Sequence, residues 1–268
     1  MKINFDLKGL FKMGGVVNKT TSWITGTLGF FFILGVWFLI TDWTGWVGPA
    51  TIPSPKAVFF ALIEMYKGDD LISNSIYSLK LNLRGYIEAI VFCIPLGFII
   101  GLYPLTQKMF SKYTDALRYV PLTGLVGVFI AWFGIGVGMK AHFLAFGIIV
   151  YLLPIMVQRV SETEKIYRDT VWTLGANNWQ LFRAVYLPSV LSKIIVDIRV
   201  ITAVSWTYII VAEMVNNEGG VGAMIYSAAK QSRLDKIFAV IVLIVFIGFL
   251  QDKLFQFIER KLFKHKFV

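Results

Sequence analysis

Long apolar runs are the feature that most limits what this chain can fold into. A helix needs about 20 mainly apolar residues to cross the hydrocarbon core of a bilayer. Runs close to that length recur between polar loops, at 23–41, 85–103, 113–133, 141–158, 194–214 and 237–256. The mean hydropathy of +0.69 and the 57% hydrophobic content also belong to membrane proteins. The sequence therefore predicts an all-α membrane protein with about six transmembrane helices.

Basic residues are unevenly shared between the two sets of loops. Lys and Arg number 16 in the terminal segments and the loops on their side, against 7 in the alternate loops. Because cytoplasmic loops carry the excess of basic residues, we expect both termini in the cytoplasm of a multi-pass inner-membrane protein. Much of the net charge of +10 then comes from the basic residues that set the membrane orientation. No basic patch with interleaved aromatic residues is left to bind nucleic acid.

The predicted spans divide the chain into five regions. They are a basic tail (1–22), a first transmembrane helix with its outer turn (23–51), an outer-face amphipathic helix (52–78), a transmembrane core (79–258) and a basic C-terminal tail (259–268). The outer helix is indicated by Ser54 before Pro55, followed by Val58, Leu62 and Met65 at helical spacing.

Small residues and prolines predict how the core packs. Gly97 and Gly101 are four residues apart, which lets a second helix approach closely. Pro121 in the third window and Pro154 in the fourth predict kinks. The single cysteine, Cys93, lies in an apolar window and is expected to be a small core residue.

Ionisable residues within the apolar windows are candidates for function, because charge in a membrane is costly. Asp197 is predicted to pair locally with Lys193, and Glu213 to reach the outer surface. Arg199 could face a cavity. A structural role and contact with a solute both stay open for these residues. The candidates for a substrate pathway are Arg199, Glu213, Trp206 and Thr207.

Several catalytic motifs are missing. The chain has no Gly-Lys dipeptide, so the phosphate-binding loop of P-loop ATPases cannot form. H-E-x-x-H, C-x-x-C and G-x-S-x-G are also absent, and His142 and His265 are far apart. We therefore expect neither an enzyme nor a bound metal or cofactor.

The segment 161–188 interrupts the apolar pattern on the side predicted to be cytoplasmic. Ser161 with Glu164 predicts a capping box and a helix start, and Gly175 predicts the end of that helix. Asn177 with Gln180 predicts a second capping box. Pro188 is expected to mark the start of the fifth span. Two short helices at the membrane surface follow from this pattern.

The second of these helices has a broad apolar face. Trp179, Phe182 and Tyr186 are spaced to lie together, with Leu181 and Val185 beside them. The pattern fits a helix resting on lipid headgroups, and it fits equally a surface for a cytoplasmic partner.

The segment resembles the Glu-Ala-Ala loop of ABC-importer permeases. Asp169-Thr170-Val171 takes the place of the Glu-Ala-Ala triplet, Gly175 falls at the family glycine, and Val185-Tyr186-Leu187-Pro188 closes the loop at the family spacing. The triplet departs from the family pattern: Asp169 keeps an acidic residue at the first position, but Thr170 and Val171 replace the two alanines. "PSPKAVFFAL", "SLKLNLRGY", "IPLGFIIGL", "AWFGIG" and "VAEMVNNEGGVG" are similar to further signatures of the nitrate, sulfonate, taurine and bicarbonate branch.

The resemblance implies a type I importer permease that carries a small solute, with residues 79–258 as its core. Two permease copies, usually identical, would form the pathway for an anion such as a sulfonate, nitrate or bicarbonate. Two cytoplasmic ATPases would bind ATP and Mg²⁺, and an external binding protein would deliver the solute. The residues it assigns to ATPase coupling are Asp169, Thr170, Val171, Gly175, Asn177, Trp179, Leu181, Phe182, Leu187 and Pro188.

Two other classes of protein are compatible with apolar spans. A stand-alone secondary transporter or channel would need coupling groups at mid-membrane or an inverted repeat, and the sequence shows few such acids and no clear repeat. A membrane-embedded enzyme would need clustered Asp, Glu or His on facing spans.

Overall fold

The structure, a computed structural model, describes residues 12–15, 17–216 and 218–263. These residues form helices and contain no β-strand. Their bounds in chain order are α1 Lys19–Phe38, α2 Pro55–Gly68, α3 Leu71–Leu102, α4 Pro104–Ala116, α5 Val126–Phe133, α6 Val137–Ser161, α7 Lys165–Thr173, α8 Asn178–Leu181, α9 Leu187–Met214, α10 Val221–Lys230 and α11 Leu234–Leu262. In these ranges five helices are long and apolar enough to cross a membrane, or six if one bent pair is a single span. The predicted helical membrane fold is confirmed.

The ends of the helices shift the predicted boundaries. The Asn18 side chain accepts a hydrogen bond from the Thr21 amide, so α1 begins ahead of the window at 23. Ser54 caps α2 in the same way, with Pro55 in its first turn. The second span begins at Leu71, so residues 71–78 belong to α3 rather than to the outer helix. At the other end α11 continues to Leu262, and residues 1–11 and 264–268 of the predicted tails lie outside the described residues.

The third window forms two helical segments with a sharp break rather than one kinked helix. The segment Pro104–Tyr119 and the segment Leu122–Phe133 meet at 89°. Val120 and Pro121 are extended at the break, with ψ of 122° and 90°. Proline disfavours helical backbone in the residue before it, which explains the break. Pro154 lies within α6, which runs without interruption from Val137 to Ser161.

A row of small residues joins α3 to α6 at the centre of the core. The row recurs every fourth residue of α3 and consists of Gly85, Ala89, Cys93 and Gly97, which are buried, and Gly101, which is half-buried. A Cβ added at Gly97 would lie 2.6 Å from the Met156 Cβ, and one at Gly101 would lie 2.7 Å from the Val160 Cβ. The close approach predicted for Gly97 and Gly101 is therefore confirmed, and Cys93 is a core residue.

Candidate functional site

The segment between α6 and α9 begins later than its sequence suggests. Ser161 is the last residue of α6, where its hydroxyl donates to the Val157 carbonyl and accepts from Gln107 Nε2. It therefore caps no helix. Glu164 is the residue before α7, without a side-chain cap. The predicted Ser161–Glu164 capping box is wrong, because α6 continues through Ser161.

The turn between α7 and α8 has the predicted geometry. Gly175 has a φ of +78°, a left-handed conformation that glycine adopts without strain. The Gln180 amide donates to Asn177 Oδ1, and the Asn177 amide donates to Gln180 Oε1, each at 2.9 Å. The predicted second capping box is thus present, and it fixes the direction in which α8 leaves the turn.

The α8 helix runs on into α9 instead of ending before it. Residues Phe182–Tyr186 form a π-helical stretch between the two. Pro188 lies in the first turn of α9, where it marks no interruption. Asn178–Met214 is a single helical element of 37 residues. Pro188 therefore stands at the start of α9 as predicted, and the π turn joins this helix to α8 without a break.

The apolar face of α8 is divided between the protein interior and solvent. Leu181 and Val185 are 6% and 7% exposed. The Phe182 ring packs edge-on against Phe98 of α3, with centroids 5.0 Å apart. Trp179 stacks on Phe182 at 5.5 Å but is 67% exposed. Leu181 and Phe182 therefore hold α8 against the transmembrane core, and Trp179 presents a surface outward.

Large apolar residues that the sequence analysis did not select are exposed nearby. Ile166, Tyr167, Trp172 and Leu174 are between 55% and 80% exposed. Asp169 and Thr170 are exposed beside them, while Val171 and Leu187 are half-buried. The sequence alone could have identified these residues, because large apolar side chains are unusual in a loop predicted to be cytoplasmic. We name Ile166, Tyr167, Trp172, Leu174 and Trp179 the exposed apolar surface.

Asp197 pairs with a different partner from the one predicted. Its two carboxylate oxygens accept from Nε and Nη2 of Arg159, both at 2.7 Å, which joins α9 to α6. The predicted pair with Lys193 is wrong, because the bidentate guanidinium of a neighbouring helix fits the carboxylate better. Arg159 also donates to Glu162, which lies just beyond α6. This hydrogen bond, and a second from Gln158, lower the pKa of the Glu162 carboxyl.

Two of the predicted pathway residues are engaged with α11. Arg199 Nε donates to Asp252 at 2.9 Å, and its Nη1 lies 3.5 Å from a Glu259 oxygen. Trp206 is buried, and its indole nitrogen donates to Gln251 at 2.6 Å. These contacts join α9 to α11. Thr207 is exposed on α9.

Glu213 does not reach the surface as predicted but is completely buried. Its carboxylate accepts from the Ser78 hydroxyl at 2.6 Å and from the Gly222 amide at 2.8 Å. Gly220 has a φ of +98°, and a Cβ there would lie 2.3 Å from the Glu213 carboxylate carbon. The carboxylate is therefore the anchor of the loop between α9 and α10, which explains the glycine at position 220.

The family of the chain follows from its match to a family model. Residues 93–264 match the model described as "Binding-protein-dependent transport system inner membrane component". The chain belongs to this family. It is therefore a transport permease subunit and a multi-pass membrane protein. Members of the family work with an ATPase and a solute-binding protein.

Three relatives of this permease resemble it along most of its length. The taurine transport system permease protein TauC of Escherichia coli (strain K12) is 25% identical over 242 residues, covering 88% of this chain and 87% of TauC. SsuC of the same organism, named for aliphatic sulfonates transport, is 29% identical over 231 residues, covering 85% and 86%. The nitrate import permease protein NrtB of Leptolyngbya laminosa is 23% identical over 257 residues, covering 93% and 91%.

A solved structure supports the fold. The MetNI methionine ABC transporter in an inward-facing conformation aligns with a TM-score of 0.59 at 19% identity. The alignment covers 71% of this permease and 95% of the matched chain. The helical arrangement is therefore that of an ABC importer transmembrane subunit.

Proposed function

We propose that this permease forms the transmembrane pathway of an ATP-driven importer for a small anion in the inner membrane. Two copies of the chain would enclose the pathway among membrane lipids, and an external binding protein would deliver the solute. ATP and Mg²⁺ would be bound in two cytoplasmic ATPases. The names of the relatives, which cover taurine, aliphatic sulfonates and nitrate, support an anion.

The exposed apolar surface is the observation that carries this proposal. Several large apolar side chains are exposed on this one ordered segment, which supports a site of protein–protein contact. The turn at Gly175 and the Asn177–Gln180 capping box fix the backbone that presents them. Leu181 and Phe182 pack inward, so force applied to this surface reaches the core through them.

The proposed contact is tested at Leu174, which is 80% exposed. The Leu174→Asp variant should lower co-purification of the ATPase about tenfold or more, because a charge is introduced into an apolar interface. ATP-dependent uptake should fall in parallel, while membrane insertion is retained.

Trp46→Asp is the matched control. Trp46 is 87% exposed in the turn after the first span, on the side opposite the predicted cytoplasmic segment. This variant should keep the ATPase. Full co-purification with Leu174→Asp would contradict the coupling role, and uptake by the permease without any ATPase would favour a stand-alone transporter.

A further inference from the structure

The α3 helix carries a stripe of polar residues that reaches the middle of its length. Ser73, Tyr77, Lys80, Arg84 and Glu88 recur at spacings of three or four and therefore lie along one side of the helix. At a rise of 1.5 Å per residue, Glu88 lies about 26 Å from the first residue of α3 and about 21 Å from the last. The stripe thus descends to the depth of the hydrocarbon core.

Three ionisable side chains meet at the deep end of this stripe. Arg84 Nε donates to Glu88 Oε1 at 2.9 Å, and His142 Nδ1 lies 2.8 Å from Glu88 Oε2. Their side chains are 50%, 28% and 39% exposed in the order Arg84, Glu88 and His142. Charged groups at this depth face a water-filled cavity or another protein, because lipid cannot solvate them.

Arg84 retains free hydrogen-bond donors. Within the described residues, its guanidinium donates through Nε alone. Glu88 accepts from both neighbours and so fixes their orientation. The two terminal guanidinium nitrogens of Arg84 remain for a ligand, in a planar fork that matches two oxygens of one oxyanion.

An aromatic cavity adjoins the cluster. It measures about 340 Å³ and has Glu88 and His142 in its wall. Its aromatic wall includes Phe92, Trp132, Phe133 and Phe146. The Phe133 ring lies 4.7 Å from the His142 ring, and Trp132 is 70% exposed. A cavity with apolar walls and a few polar groups at one side is suited to a ligand with an apolar body and one polar end.

We propose that the Arg84–Glu88–His142 cluster and this cavity form a solute-contact site in the pathway. The solute class is an organic monoanion with a sulfonate or carboxylate head on Arg84 and a short apolar body among the aromatic rings. Glu88 is a positioning residue that holds Arg84 and His142. Nitrate or bicarbonate would use the arginine but leave the cavity unfilled. This inference rests on the proposed function and narrows its solute.

The first test measures water access to the stripe in the assembled importer. The single cysteine, Cys93, is buried, so introduced cysteines can be labelled against a low background. Arg84→Cys should react with methanethiosulfonate ethylsulfonate at least about tenfold faster than Leu83→Cys, because thiolate formation requires water. Leu83 is the matched control, since it is 60% exposed at the same depth on the adjoining apolar face. Equal rates, or an unreactive Arg84→Cys, would overturn the proposal.

The second test measures uptake by the complete importer in proteoliposomes, with radiolabelled butanesulfonate and nitrate as probes. Arg84→Gln should raise the KM for butanesulfonate about tenfold, and Arg84→Lys should raise it less. Lys56→Gln, an exposed charge on α2, should leave the KM unchanged. Size-exclusion chromatography establishes that each variant is folded.

The outcomes separate this inference from the function on which it rests. An unchanged KM in Arg84→Gln overturns the site. Uptake of nitrate without butanesulfonate overturns the solute class and leaves the importer function standing. Absence of ATP-dependent uptake of either probe by the unmodified importer contradicts the proposed function itself.

Discussion

Single residues fix the loop between α9 and α10. Glu213 is buried with two hydrogen bonds, and Gly220 passes over its carboxylate with a positive φ. A side chain at position 220 would meet both the carboxylate and an unfavourable backbone conformation. The loop therefore depends on one glycine and one acid that contact each other.

Gly220→Ala is expected to lower the free energy of unfolding by about 3 kcal/mol, from backbone strain and overpacking together. Denaturant unfolding in detergent measures the change. Gly248→Ala is the control, since a Cβ there meets nothing within 4 Å. Equal stability of the two variants would show that Glu213 can move aside.

An ion pair joins α2 to α11. Glu64 accepts from Arg233 Nη2 at 2.6 Å and lies 3.0 Å from Lys236 Nζ. These two cations lower the pKa of Glu64 from 4.5 to about 2. Because the pKa is lowered in the folded protein, the ion pair contributes fully above pH 4.5 and is lost as the pH falls toward 2.

Glu64→Gln should therefore unfold at a lower temperature than the unmodified permease at neutral pH. The difference between their thermal midpoints should narrow as the pH falls from 4.5 toward 2. Calorimetry over this range is the measurement. A difference that does not vary with pH would show that the carboxylate charge makes no contribution.

At the scale of helices, the α3–α6 pair depends on the row of small residues. An added methyl at Gly97 would meet the Met156 Cβ at 2.6 Å, which is backbone-proximal and cannot rotate away. The two helices would have to separate along the part of the core that they share.

Gly97→Ala is expected to destabilise the permease by about 1–3 kcal/mol, because overpacking exceeds the gain in helix propensity. The midpoint of thermal unfolding measures this. Gly26→Ala in α1, where a Cβ meets nothing within 4 Å, should be neutral or stabilising. A neutral Gly97→Ala would mean that α6 shifts without cost.

Helix positions and local signals were largely predictable, and long-range partners were not. Ser54, Gly175 and the Asn177–Gln180 pair act within one turn of chain, so the sequence contains all the groups involved. Arg159 and Asp197 are 38 residues apart, and only the packing of α6 on α9 brings them together. The same limit applies to Arg84, Glu88 and His142, because the third of these lies on another helix.

Errors in the predicted coupling segment have a related cause. Helical periodicity placed Leu181 and Phe182 on a common apolar face with Trp179, but it cannot show which side of that face meets Phe98.

Hydropathy located the third apolar window but not its 89° break, because a window average contains no backbone angles.

At the scale of the whole molecule, α1 is less buried than the other predicted spans. None of the residues in its most apolar window is buried. Its described contacts include a hydrogen bond from Trp37 Nε1 to the Pro53 carbonyl at 3.0 Å and a ring contact between Trp37 and Phe238 at 6.4 Å. The family match at 93–264 begins within α3 and leaves out both α1 and α2. The core beyond α2 is thus held together without it.

Removal of residues 1–51 should leave the remaining helices folded, with a thermal midpoint close to that of the intact chain. Fluorescence-detected size exclusion with heating measures this. Trp37→Phe, which keeps α1 but removes its hydrogen bond, is the control. Aggregation of the truncated chain alone would show that α1 is part of the folding unit.

The continuity of α8 with α9 links the turn after α7 to the far end of α9 through one helical element. Asn178–Met214 has 37 residues and so measures about 55 Å from end to end. If such a rod tilts by about 10° about its α8 end, its far end is displaced by about 10 Å. A modest rotation at the turn between α7 and α8 would then produce a large lateral movement at the opposite end of the helix.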